Sequence, residues 1–243
     1  MTTLSLIIPS YNEVENLMIL EKKLAKVFAN KNNIEIIIVD NGSQDDTPKV
    51  LEKIIKKTTL KTLRSIRVDQ NKGYGFGILA GCDAAKGDLI AWTHADLQTD
   101  PADILVALDC FETAKEPLTF VKGKRKKRPL LDTFFTIGMQ YYASLILGVA
   151  LNDINAQPKL FSREFYNNFI LGQAPHDFSL DLYALYCAQK NNYTILTIPV
   201  VFSDRIYGEA KGGGSLKTKY KLIKRTFAYI HELAKTLNRD KRG

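Results

Sequence analysis

At 243 residues, 45% of them hydrophobic, the chain can bury a substantial core and fits a soluble globular protein of one large domain, with or without a helical annex. The longest weakly polar stretch, residues 134–151, is interrupted by Thr136, Gln140, Tyr141, Tyr142 and Ser144 and falls short of the ~20 apolar residues that a membrane span requires. The formal charge of +8 favours anionic partners, whether phosphates, nucleic acid or an acidic membrane face.

Residues 1–9 carry no charged n-region and no small-residue cleavage site, so no secretory signal is expected and the apolar run reads as a first core strand. Residues 4–8 form that strand. A helix follows on the spacing of Val14, Leu17, Met18, Leu24, Val27 and Phe28, with Asn12 and Glu15 spaced as a capping box. Residues 34–39 give a second strand. Thr47 as N-cap and Pro48 at the first helical position then open a helix through Val50, Leu51, Ile54 and Ile55.

A strand at about 63–68, the glycine-rich run Asn71-Lys72-Gly73-Tyr74-Gly75-Phe76-Gly77 and a helix to about Lys86 lead to the apolar strand 89–92. Asp100-Pro101 caps another helix, to about Thr113. Four strands joined by helices imply a parallel sheet. Beyond residues 119–121 the spacing predicts a basic loop at 122–128, an apolar helix to about 151 and a polar stretch at 153–161. A helical region with Asp177 and Asp181 near a helix start comes next, then a strand at 193–202 and a glycine-rich loop at 203–215. A basic amphipathic helix closes the chain, with Leu222, Ile223, Phe227, Ile230, Leu233 and Leu237 on its apolar side. The expected division is residues 1–215 as the main domain and 216–243 as helix and tail. Cys82, Cys110 and Cys187 are odd in number and widely separated, which favours free thiols in a reducing compartment.

The polar residues after strand 89–92 sit where a parallel strand meets its ligands. If the backbone stays extended past Thr93, His94, Asp96 and Gln98 share one side, and two oxygen donors converge as a hard divalent cation needs. A polar strand end capping the next helix fits the same residues.

Seven motifs in order, Ile7-Ile8-Pro9-Ser10-Tyr11-Asn12-Glu13, Ile38-Val39-Asp40-Asn41-Gly42-Ser43, Asn71-Lys72-Gly73-Tyr74-Gly75, Ala85-Lys86-Gly87-Asp88, Ala95-Asp96-Leu97-Gln98, Gly123-Lys124-Arg125 and Arg205-Ile206-Tyr207-Gly208-Glu209-Ala210-Lys211, resemble those of family 2 glycosyltransferases. Within that family they are most similar to the branch of dolichol-phosphate mannose synthase and other polyprenyl-phosphate glycosyltransferases. The resemblance implies an α/β fold of GT-A type, a mainly parallel Rossmann-like sheet flanked by helices with a C-terminal helical annex. It also implies transfer of a hexose-type sugar, with inversion, from a nucleoside diphosphate sugar to a polyprenyl phosphate, with Mg²⁺ or Mn²⁺ as cofactor.

On this resemblance Pro9, Tyr11, Glu13 and Asp40 contact base, ribose or sugar, and Lys72, Gly73, His94 and Ala95 line the donor site. Asp96 and Gln98 hold the metal, and Arg125, Arg205 and Lys211 lie over the diphosphate or the acceptor phosphate. The glycines of 71–77 are expected to let backbone pass close to the donor. His94 departs from the family's Asp-x-Asp; a histidine there serves either as a ligand or as a structural hydrogen-bonding group. A phosphate acceptor is already ionised, whereas a sugar hydroxyl, as in surface-polysaccharide assembly, needs a general base, for which Asp177 and Asp181 are the candidates. A relative that binds nucleotide sugar without catalysis is a third reading, motivated by His94. Nucleic acid is not expected as a partner, because the basic residues lack a base-reading module. A cytoplasmic location is expected, with the C-terminal helix lying peripherally on an anionic bilayer or packing over the core.

Overall fold

The structure, a computed structural model, describes residues 4–126, 130–203, 205, 207 and 216–240; for residues 130–135, 216–219, 221–222 and 237–240 only the backbone is considered. The chain alternates β1 (Leu4–Ser10), α1 (Val14–Phe28), β2 (Ile34–Asp40), α2 (Thr47–Lys57), β3 (Leu63–Arg67), α3 (Tyr74–Ala84), β4 (Leu89–Trp92) and α4 (Asp103–Ala114). It continues with β5 (Thr119–Lys126), α5 (Leu130–Leu147), β6 (Lys159–Ser162), the short α6 (Arg163–Phe165) running into a π-turn (Tyr166–Ile170), α7 (Leu180–Lys190), β7 (Thr194–Val201) and α8 (Leu216–Asp240).

The seven strands form one sheet in the order β3-β2-β1-β4-β6-β5-β7. The pairs β1/β2, β1/β4, β2/β3 and β5/β7 are parallel, and β6 runs antiparallel to both neighbours. This is the mainly parallel α/β layer structure expected. The apolar runs of β1 and β2 are continuous rather than alternating because helices cover both faces of the sheet. Ile7, Ile37, Val39, Ile90, Trp92, Phe120 and Phe161 bury on the face shared with α3 and α7. Leu4, Leu6, Ile8, Ile36, Ile38 and Val121 bury on the other, against Leu17, Leu20 and Leu24 of α1 and Ile104 of α4.

Several local expectations are corrected. Residues 122–126 are not a loop: β5 continues to Lys126 because β7 pairs with it along its whole length, as far as Lys126 opposite Val201. No side chain caps α1 or α2. Asn12 and Thr47, the expected caps, are drawn into bonds between the loops that follow β1 and β2 instead. α8 packs on α5, burying Ile230 and Leu233, with the Phe227 ring 4.4 Å from that of Tyr142. The three cysteines are free thiols, Cys82 and Cys187 buried. No helix among the described residues is long and apolar enough to cross a membrane.

Candidate active site

β1, β2 and β4 all end on one edge of the sheet, and β6, running the other way, begins there. Residues distant in sequence meet at this edge. The turn after β1 puts Asn12 in the left-handed region, at φ 52°. Its N–H donates to Ser43 Oγ (3.0 Å), its Oδ1 accepts from Gln44 N (2.9 Å), and the N–H of Glu13 donates to Thr47 Oγ1 (3.0 Å). Pro9, Tyr11 and Glu13 are thereby fixed beside Asp40. Asp40 is buried, accepts from Ser43 N (2.9 Å) and pairs with Arg67 at 3.1 Å.

After β4 the backbone does not stay extended. Leu97 adopts φ 61°, and Asp96 Oδ1 accepts from Gln98 N (3.2 Å) in an Asx turn. Asp96 and Gln98 still converge, and the group they meet is Arg205. Its Nη2 lies 2.7 Å from Asp96 Oδ2, its Nε donates to Gln98 Oε1 (3.4 Å), and its Nη1 is 3.8 Å from Glu13 Oε1. The segment carrying Arg205 is pinned at both ends: Ser203 N donates to Gln98 O (2.9 Å), and Asn16 Nδ2 to Tyr207 O (3.4 Å). Ala95 is buried beneath this turn.

Below it lies a buried polar network. Asp181, 3% exposed, receives Lys159 Nζ (2.8 Å), Trp92 Nε1 (3.1 Å) and Gln157 Nε2 (3.0 Å) on Oδ1. Lys159 also donates to the carbonyls of Ile154 (2.9 Å) and Ala156 (3.3 Å), and Gln157 to the Tyr74 hydroxyl (3.2 Å). Desolvation lowers the Lys159 pKa, opposed by Asp181, and raises that of Tyr74. On the neighbouring strand Lys122 is buried with Nζ on Gly123 O (3.0 Å), and burial brings its pKa down to about 7. His94 lies 5.9 Å from Tyr74 between ring centroids, and burial lowers its pKa, so its imidazole is neutral at pH 7.

Other expected residues are placed differently. Two glycines of the 71–77 run lie close against backbone of the chain itself. A Cβ on Gly73, whose φ is 128°, would meet His176 O at 2.4 Å, and one on Gly75 would meet Pro175 O at 2.6 Å, so their bareness seats the 175–177 segment. Lys72 is exposed, its ammonium 5.2 Å from the Phe76 ring. Arg125 is tied to Asp153 through its backbone N–H (2.7 Å) and its Nε (2.8 Å). Asp177 precedes α7, accepts from Ser179 N (2.8 Å) and pairs with Arg225 of α8 at 3.2 Å. Lys211 lies outside the described residues, as do Lys127 and Arg128.

The family model described as glycosyl transferase family 2 matches residues 5–170, more than half of the chain. The chain belongs to glycosyl transferase family 2. A dolichyl-phosphate beta-glucosyltransferase from Dictyostelium discoideum is 27% identical over 217 residues, covering 83% of this chain and 66% of the relative. A dodecaprenyl-phosphate galacturonate synthase from Rhizobium johnstonii is 32% identical over 162 residues, covering 65% of this chain and 47% of the relative. The chain thus spans between about half and two thirds of the length of these two relatives. The fold matches glucosyl-3-phosphoglycerate synthase from Mycobacterium tuberculosis, solved with Mn²⁺, UDP-glucose and phosphoglyceric acid, with a TM-score of 0.72 at 15% identity over 96% of this chain and 80% of that one. The fold is therefore of the GT-A glycosyltransferase type.

In this family 2 chain no group of three or more His, Cys, Asp or Glu side chains among the described residues could hold a metal. The oxygen donors of Asp96 and Gln98 nevertheless suit Mg²⁺ or Mn²⁺, hard ions that keep waters and share positions with substrate phosphates. Both side chains already gather around a cation, the Arg205 guanidinium. Lys122 was expected in a basic loop and Gln157 and Lys159 in a polar stretch; their burial in and beside one polar network was not foreseen. Lys122, after the apolar start of β5, and Lys159, the first residue of β6, lie directly opposite in the β5/β6 pair, a pairing that the sequence does not show.

Proposed function

We propose that the chain transfers a hexose-type sugar from a nucleoside diphosphate donor to a polyprenyl phosphate, with inversion at the anomeric carbon. Asp96 and Gln98 would hold Mg²⁺ or Mn²⁺, which as a Lewis acid neutralises charge on the departing diphosphate. Tyr11, Glu13 and Asp40 bind the nucleoside side, and Arg205 moves onto phosphate oxygens, for which its planar fork is suited. The named relatives act on dolichyl and dodecaprenyl phosphates, which supports the choice of acceptor.

The observation that carries this reading over transfer to a sugar hydroxyl is the state of the two candidate bases. Asp181 is buried against an ammonium and two N–H donors, and Asp177 is paired with Arg225. In both, the carboxylate oxygens are already taken by donors within the chain and are not open to an incoming hydroxyl, whereas an ionised phosphate oxygen needs no base. A peripheral membrane contact fits this acceptor, and α5 offers the surface. Ile137, Tyr141 and Leu145, spaced four apart on one helix face, are 41%, 71% and 80% exposed. Ile230 and Leu233 of α8 are instead buried, on a helix that packs against α5.

The test is a transfer assay with a short polyprenyl phosphate, labelled UDP- and GDP-sugars and Mn²⁺, scored as label in organic-phase lipid. Lipid-linked product from one donor, lost in Asp96→Ala and kept in Asp177→Asn, is the expected result. Transfer to glycan hydroxyls with none to the lipid, abolished by Asp177→Asn, would overturn it.

A further inference from the structure

The Arg205 guanidinium is not an onlooker at the donor site. It touches Asp96 and Gln98, the two groups suited to a divalent cation, and faces Glu13 on the nucleoside side. From the segment after β7 this one cation reaches acidic and amide oxygens on the loops after β1 and β4. Its placement is built in, because the backbone on either side of Arg205 is hydrogen bonded to Gln98 and to Asn16.

We propose that Arg205 is a place-holding cation that makes metal binding conditional on the nucleotide. With no donor present, the guanidinium satisfies Asp96 and keeps a divalent ion from competing for the carboxylate. When a nucleoside diphosphate enters, its oxygens give the guanidinium a stronger partner, Arg205 leaves Asp96, and the vacated oxygen takes the ion together with the diphosphate. Metal and nucleotide then enter as one unit and each raises the affinity of the other, as linkage requires. This rests on the donor reading above and adds an order of events to it.

The experiment follows free Mn²⁺ by electron paramagnetic resonance during titration of the protein without nucleotide. The chains compared are wild type, Arg205→Gln, Arg205→Lys and Arg205→Gln combined with Asp96→Asn, each checked for folding by its melting temperature. Parallel calorimetry measures UDP and GDP with and without Mn²⁺. A unit charge within contact distance of the ion is worth about a tenfold change or more in affinity. Binary Mn²⁺ binding is therefore expected to tighten by at least about that factor in Arg205→Gln and less in Arg205→Lys, and to be lost again when Asp96→Asn is added. Binary Mn²⁺ affinity that is unchanged or weaker in Arg205→Gln would overturn the proposal. Failure of the donor reading shows separately, as no UDP or GDP binding to wild type with Mn²⁺, and leaves the Mn²⁺ arm decisive for the role of Arg205.

Discussion

Replacing Lys159 by methionine keeps most of the side-chain volume and removes one charge from the most buried ionic contact among the described residues. Lys159 is 0% exposed and Asp181 is 3% exposed. Removing one partner of a buried pair costs about 3–5 kcal/mol, because the remaining charge has lost its compensation. The carbonyls of Ile154 and Ala156 lose their donor as well, at about 1 kcal/mol each where water does not replace it. The expected loss is about 5–7 kcal/mol, a large share of the ~5–15 kcal/mol that holds a typical domain together. Urea unfolding of wild type, Lys159→Met and Lys159→Met/Asp181→Asn measures it. The double variant removes the stranded charge but retains an acceptor for Trp92, so it should recover about 2 kcal/mol of the loss. A loss below about 1.5 kcal/mol, or no recovery in the double variant, would show that the pair does not organise this part of the core.

Three further outcomes are expected. Lys122 has a folded pKa of about 7, below its ordinary 10.5, so the folded state binds its proton less tightly and the chain gains stability as pH rises from 7 towards 10.5. Lys122→Met should therefore exceed wild type by about 1–3 kcal/mol at pH 6.5, and thermal melts should show that advantage narrowing by pH 9.5. Gly123→Ala would put a Cβ 2.1 Å from Gln157 O, so it should push the 153–158 loop off β5 and cost about 2 kcal/mol or more in urea unfolding. Asp177→Asn breaks a partly exposed pair with Arg225 and should shift stability by less than about 1 kcal/mol in the same assay.

The apolar runs of β1, β2 and β4 and the helical spacing of α1 were legible because those patterns report burial directly. What the pattern does not carry is the partner of a polar side chain. Asn12 and Thr47 look like helix caps from their neighbours in sequence, yet each is taken by a loop more than thirty residues away. The bare glycines at 73 and 75 say that something comes close; that it is the 175–177 backbone is a tertiary fact. Residues 122–126 read as a solvated loop by charge, but a parallel partner that begins only at Thr194 turns them into strand. Asp96 and Gln98 converge by a left-handed turn at Leu97, a route that strand periodicity does not foresee.

The reversed strand β6 has a consequence for how the molecule comes together. Four residues, Lys159–Ser162, are all that join β3-β2-β1-β4 to β5-β7 in the sheet. Until they dock, the sheet is two separate ribbons, one closed by short local crossovers and the other waiting on a strand that begins at Thr194. Docking is thus a non-local step, of the kind that slows folding. The first ribbon carries Asp40 and Asp96, the second carries Lys122 and Arg125, and Lys159 is on the seam itself. The two halves of the cleft become one site only when that seam closes, so assembly of the sheet and assembly of the site are a single event.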